Sequence, residues 1–106
     1  MSKGKIVAIT ACITGVAHTY MAEENLKKYA KANDYEIKIE TQGAMGIENK
    51  LKQDEIDAAD LVIFAVDTTV VNKERFDDKK IYKVGTSEVI KHGQETFEKA
   101  LEMIGG

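Results

Sequence analysis

Four short runs rich in β-branched and other apolar residues, at positions 5–11, 35–41, 61–66 and 80–84, alternate with stretches of helical periodicity, and this alternation decides the fold class. Between the first two runs, Thr19, Ala22, Leu26, Tyr29 and Ala30 fall on one helical face and Glu23, Glu24, Lys27, Lys28 and Lys31 on the other, with Asn33 as the stop signal. Residues 53–60 suffice for a short helix. Near the end, Phe97, Ala100, Leu101 and Ile104 carry the spacing of a helix docked on a core, separated by His92-Gly93 from a turn after Thr86. The order βαβαβαβα predicts an α/β fold: a single-domain, doubly wound, four-stranded parallel sheet flanked by helices. The first and third runs are nearly continuous in apolar residues, as strands buried on both faces require. Residues 35–40 alternate instead, which predicts an edge strand with one wet face.

A chain of 106 residues has room for one such domain, spanning 1–106, with Gly105-Gly106 as a tail or linker remnant. One cysteine excludes an intramolecular disulfide, and the absence of a Cys/His cluster argues against bound metal, so a reducing cytosol fits. A net charge of -3 without a basic block lacks the electrostatic footprint of a nucleic-acid binder. The longest apolar stretch, residues 61–66, is far short of the roughly 18 residues of a membrane span. Lys3 and Lys5 ahead of an apolar stretch, with Ile9-Thr10-Ala11-Cys12 as a loose lipoprotein-like box, raise a signal-peptide reading. Thr10 and Thr14 interrupt that stretch and argue against it.

In a doubly wound sheet, ligands bind beyond the carboxyl ends of the strands, where helix N-termini also point. Cys12 stands there, at the end of the first strand. Ile13, Thr14, Gly15, Val16 and Ala17 follow, a run of backbone N–H groups able to wrap an anion, before the helix begins. The positive helix end favours both a thiolate and a phosphate carried on it. The alternative is a small buried hydrophobe ending a strand, and the pattern leaves both open. Cys12-x5-His18-Thr19 also resembles the phosphate loop of cysteine-dependent phosphatases, Cys-x5-Arg-Ser/Thr, with His18 in place of the arginine. A single imidazole cannot copy the two-pronged grip of a guanidinium, and the chain has no Pro for the Asp-Pro acid of the low-molecular-weight members, so the pattern favours binding phosphate over hydrolysing it.

Thr10-Ala11-Cys12-Ile13-Thr14-Gly15-Val16-Ala17-His18-Thr19-Tyr20-Met21-Ala22 resembles the signature of the fructose-type IIB components of the bacterial sugar phosphotransferase system. Glu40-Thr41-Gln42-Gly43, Gly46-Ile47-Glu48-Asn49, Val66-Asp67 and Glu74-Arg75-Phe76 continue the likeness over nearly the whole chain. The resemblance implies a flavodoxin-like sheet and a phosphotransferase subunit without cofactor or metal. In it the cysteine matching Cys12 takes a phosphoryl group from a IIA phosphohistidine and passes it to a fructose-like sugar held by the membrane component IIC. It also implies a cytoplasmic chain tied to the membrane only through IIC. The family usually has Pro directly after the cysteine, whereas Ile13 restores a backbone N–H and releases φ.

Around this loop the residues leave alternatives open. His18 either donates to the phosphate or caps the helix start, and Thr14 and Thr19 either donate hydroxyls or cap the first turn. Gly15 permits a tight loop. Gln42 and Asp67 emerge at the ends of the second and third strands, at the periphery of the site or merely solvated, and His92 reads as a surface residue near a helix end. The competing functions are a low-molecular-weight phosphatase-like enzyme and a flavodoxin-like nucleotide or flavin module, and the latter has no need of a cysteine in its loop.

Overall fold

The computed structural model describes residues 4–11, 16–43 and 46–103, and the side chains of residues 16–18 also fall outside the description. In chain order the elements are β1 (Lys5–Ala11), α1 (Val16–Ala32), β2 (Glu36–Gly43), β3 (Gly46–Glu48), α2 (Gln53–Ala58), β4 (Leu61–Val66), a 3₁₀ turn (Lys73–Phe76), β5 (Ile81–Val84), α3 (Thr86–Lys91) and α4 (Gly93–Glu102). They form one sheet in the order β3-β2-β1-β4-β5. β2, β1, β4 and β5 run parallel, and β3 pairs antiparallel with the end of β2.

The four parallel strands thus arise where apolar periodicity places them, and the sheet is mixed because of a fifth strand that periodicity does not signal. β3 has three residues, all exposed. It is held by backbone pairing at Thr41, Gln42 and Gly43 and buries no apolar face that a sequence pattern would reveal. Gly46 pairs with Gly43 in this hairpin and has φ of 100°, a conformation that residues with a β-carbon rarely adopt. β2 is therefore a true edge only over its first half. There Glu36 and Lys38 are wet as expected, whereas Glu40, next on the same face, is fully buried.

The two faces of the sheet hold two cores. Ile6, Ala8, Ile39, Leu61 and Ile63 pack against Ala22, Leu26 and Ala30 of α1, Val89 of α3, and Phe97 and Ala100 of α4. Val7, Ile9, Val62, Phe64 and Val66 pack against Leu51, Ile56 of α2, Val70 and Phe76. β1 and β4 lie between the two layers and are buried on both faces, as their unbroken apolar runs require.

α1 begins at Val16 and stops at Ala32, where the side chain of Asn33 donates to the Tyr29 carbonyl (2.8 Å) and Asp34 turns left-handed at φ 64°. The segment after Thr86, expected as a turn, is the six-residue helix α3. It is divided from α4 at His92, whose φ of -130° and ψ of 43° break the helix. Gly93 opens α4 directly beneath the Tyr29 ring, and a β-carbon there would collide with it.

Candidate active site

β1 connects leftward to β2 through α1 on one face, while the chain returns through α2 on the other face to reach β4, so the direction of winding reverses at β1. The carboxyl end of β1 is the switch point, where a doubly wound sheet opens a crevice for ligands. Ala11 closes β1 and Val16 opens α1. Residues 12–15, which include Cys12, Ile13, Thr14 and Gly15, join these two points and lie outside the described residues, as do the side chains of Val16, Ala17 and His18.

α1 has 17 residues and no acidic residue in its first turn, whereas α2, α3 and α4 each carry one or two there. The positive end of α1 is thus left without a carboxylate of its own, which favours an external anion. Thr19 sits within the first turn, not at its cap, and is buried at 2% exposure.

The segment after β4 walls the other side. The amide of Asp67 donates to the Ala11 carbonyl at 2.8 Å. From there the chain crosses the end of β1 and reaches β2, where the Gln42 side chain grips the backbone of Val71. Oε1 accepts from the Val71 amide (2.8 Å) and Nε2 donates to its carbonyl (3.1 Å). Gln42 is therefore a buried strut within the strand end, and its polarity is spent on the protein. Asp67 is exposed at the rim, but its carboxylate accepts from the amide of Thr86 (3.1 Å) and from the Thr86 hydroxyl, which ties β4 to the start of α3. His92 is exposed at the junction of α3 and α4, as expected.

Behind Gln42 lies a network that single-residue patterns do not reveal. The carboxylate of Glu40 accepts from Arg75 through both terminal nitrogens (2.9 and 3.0 Å), from Gln42 Nε2 (2.7 Å) and from the Leu51 amide (2.8 Å). Arg75 also donates to the carbonyls of Leu51, Asn72 and Val71, so all three of its nitrogens are engaged. Burial, the largest single influence, works to raise the Glu40 pKa. The hydrogen bonds from Arg75, Gln42 and Leu51, with the charge of Arg75, together hold it below the ordinary glutamate value. Arg75 is the sole arginine of the chain. A sequence signal exists only as the co-occurrence of Glu40-x-Gln42 with Arg75, which by itself does not say that the two meet.

On the opposite flank, the Tyr20 hydroxyl on α1 donates to Glu48 of β3, which raises the Tyr20 pKa and closes the rim between helix and hairpin. Tyr20, Met21, Ile47 and Val71, all exposed, stand around this end of the sheet. A separate cleft of about 700 Å³ lies at the amino ends of β1 and β2, beside the Lys38–Glu55 ion pair, away from the end where such sheets bind ligands. Among the described residues, no group of three or more His, Cys, Asp or Glu is placed to hold a metal ion.

Residues 7–99 match the family described as the lactose/cellobiose specific IIB subunit of the PTS system. The "PTS system fructose-like EIIB component 2" of Escherichia coli K12 is 45% identical over 95 residues, covering 90% of each chain. The "PTS system fructose-specific EIIABC component" of Bacillus subtilis is 48% identical over 99 residues, which are 93% of this chain and 15% of that longer one. The solution structure of an Enzyme IIB subunit of the PTS system from Escherichia coli K12 superposes with a TM-score of 0.90 at 39% identity, covering 99% of this chain and 96% of that one. By sequence and by fold, this chain belongs to the IIB family of the sugar phosphotransferase system and is a fructose-type member of it.

Proposed function

We propose that Cys12 is the phosphoryl carrier of this subunit. Its thiolate attacks the phosphorus of a phosphohistidine on a IIA component. The S–P bond forms as the P–N bond breaks, and the imidazole nitrogen leaves and regains a proton. The phosphocysteine then gives its phosphoryl group to a hydroxyl of a fructose-like sugar held by IIC. The observation that carries this reading is that the chain enters Cys12 directly after Ala11, the buried end of β1 at the switch point, and goes on to α1, whose first turn holds no acidic residue.

Ile13, Thr14, Gly15, Val16 and Ala17 supply backbone donors to the phosphate in this reading, and His18 and Thr19 lend side chains. IIA and IIC are partners whose kinship with IIB is consistent with a Bacillus subtilis relative named as an EIIABC component. Among the described residues no helix is long and apolar enough to cross a membrane, and in this reading IIC ties the chain to the bilayer. A phosphatase reading loses support from Arg75: the one arginine of the chain is engaged by Glu40 and backbone carbonyls, leaving no guanidinium to clamp a transferring phosphoryl group. The test is to incubate the chain with phosphorylated IIA and locate added phosphate by mass spectrometry. Wild type should gain one phosphate on Cys12 and Cys12→Ser none. A Cys12→Ser chain that is phosphorylated at the wild-type rate would overturn the assignment.

A further inference from the structure

β5 ends the sheet, with β4 on one side and, among the described residues, no strand on the other. Successive residues of a strand direct their backbone groups to opposite edges, so every second residue of Ile81–Val84 turns its N–H and C=O to the open side. Among the described residues no group from outside the sheet bonds to them. The doubly wound order would place a helix between β4 and β5, but the chain supplies only the turn Lys73–Phe76, so no helix lies between these two strands.

A hollow flanks this edge on each face. On the α2 face, about 440 Å³ lies between β5 and the segment that follows β4, with Phe64 and Ile81 at its base and Lys73, Lys79, Lys83 and Asp77 around it. On the α1 face, about 280 Å³ lies between β5 and the helices α3 and α4, lined by Tyr82, Val84, Glu88, His92, Glu95 and Lys99. The two hollows differ in charge. In the first, one acid stands against three lysines; Lys79 donates to the carbonyls of Asp57 and Ala59 and keeps its charge. Lys73 and Lys83 are exposed and, among the described residues, join no ion pair. In the second, Lys99 is paired with Glu95 at 3.4 Å, and the exposed carboxylate of Glu88 is left over.

An extended chain laid along β5 would meet its open N–H and C=O groups and send alternate side chains into the two hollows. We propose that the free edge of β5 is a docking site for an extended segment of a partner protein in which acidic and basic residues alternate. The acids face Lys73 and Lys83, and the bases face Glu88. A second copy of this chain is a poor occupant, because pairing β5 with itself brings Lys83 of each copy toward the other's lysine-lined hollow, like charge against like. At the opposite side of the sheet, the exposed first half of β2 carries Lys38, but its charge is already paired with Glu55. The site is independent of the phosphocysteine reading and of any phosphate.

The test titrates the full-length chain with two acetylated eight-residue peptides of equal composition, one with Glu and Lys alternating, the other with all its Glu before all its Lys. A third peptide is the alternating one N-methylated at every residue, which removes its donors. Binding is read from backbone amide shifts of the isotope-labelled chain. We expect the alternating peptide to shift residues 81–84 and to bind about fivefold more tightly than the block peptide, and the methylated peptide not to bind. Lys83→Glu and Glu88→Lys should each weaken the alternating peptide about fivefold while unfolding near the wild-type temperature, since both residues are exposed. Equal binding of the alternating and block peptides, undiminished binding of the methylated one, or shifts confined to another part of the chain would overturn the proposal. So would the absence of binding at millimolar peptide. A wild type that dimerises through β5 in sedimentation would make a second copy the occupant and overturn it as well.

Discussion

The guanidinium of Arg75 meets the carboxylate of Glu40 two nitrogens to two oxygens, at 2.9 and 3.0 Å, across 35 residues of sequence. The carboxylate is fully buried and the arginine side chain retains 12% exposure, so neither charge has water as a ready substitute partner. The pair ties together the end of β2, the segment entering α2 through Leu51, and the chain that crosses β1 through Val71 and Asn72. Those three pieces meet at the carboxyl end of β2, the strand beside β1.

Removing one partner of this pair should cost far more than the pair contributes. Arg75→Ala leaves a buried carboxylate with half its donors, and we expect a loss of about 3–5 kcal/mol in unfolding free energy, measured by urea denaturation. Arg75→Lys should rescue little of it, since an ammonium cannot reach two carboxylate oxygens and three carbonyls at once. A loss below about 1 kcal/mol, the range of exposed pairs, would show that the network does not act as a buried one.

Glu40 should also imprint a pH dependence. A carboxyl held lower in the folded chain contributes stability that is complete above its unfolded pKa, about 4.3, and that is lost as the pH falls through its folded value. Unfolding free energy should therefore decline below about pH 4.3 in the wild type. It should decline less steeply in Glu40→Gln. Glu55, also lowered through Lys38, acts in the same direction, but that pair is exposed and added salt will weaken it. Parallel curves for wild type and variant in high salt would place the acid sensitivity elsewhere.

Transfer should outpace hydrolysis. The groups a hydrolase would use are absent or engaged: His18 replaces the arginine of the phosphatase pattern, Arg75 is bound to Glu40, and the Asp67 carboxylate accepts from Thr86. Phosphorylated chain should lose its phosphate slowly in buffer and rapidly when IIC and sugar are supplied, and His18→Arg should raise hydrolysis more than transfer. The measurement is a decay course of the isolated phosphoprotein beside an aryl phosphate assay. Rapid aryl phosphate turnover by the wild type would favour the phosphatase reading instead.

Gly93 should tolerate no side chain while Tyr29 keeps its place. Gly93→Ala gains helix propensity yet drives a methyl group into the Tyr29 ring, and overpacking of this kind costs about 1–3 kcal/mol. In a Tyr29→Leu background the same substitution should cost less. Equal costs in both backgrounds, measured by thermal unfolding, would remove Tyr29 as the cause.

The four parallel strands, α1, α2, α4 and the place of Cys12 ahead of α1 were legible from the chain alone, because these are local, whereas the helix that the order βαβαβαβα expects between β4 and β5 is the 3₁₀ turn Lys73–Phe76. A period of two or of 3.6 residues is written in neighbouring side chains, and β1 and β4 run over the residues those patterns mark. What escaped the sequence depends on partners distant in the chain or on backbone alone. β3 buries no side chain and exists through its pairing with β2, so no hydrophobic signal announces it. Glu40 follows Glu36 and Lys38 on the polar face of its strand and reads as one more wet residue, until the tertiary fold brings Arg75 across and makes it buried and paired. Gln42 and Asp67 likewise read as open polar groups, and only the fold gave them to Val71 and Thr86. Periodicity states which face a residue occupies; what covers that face is decided by contacts 19 to 35 residues away, which no local pattern encodes.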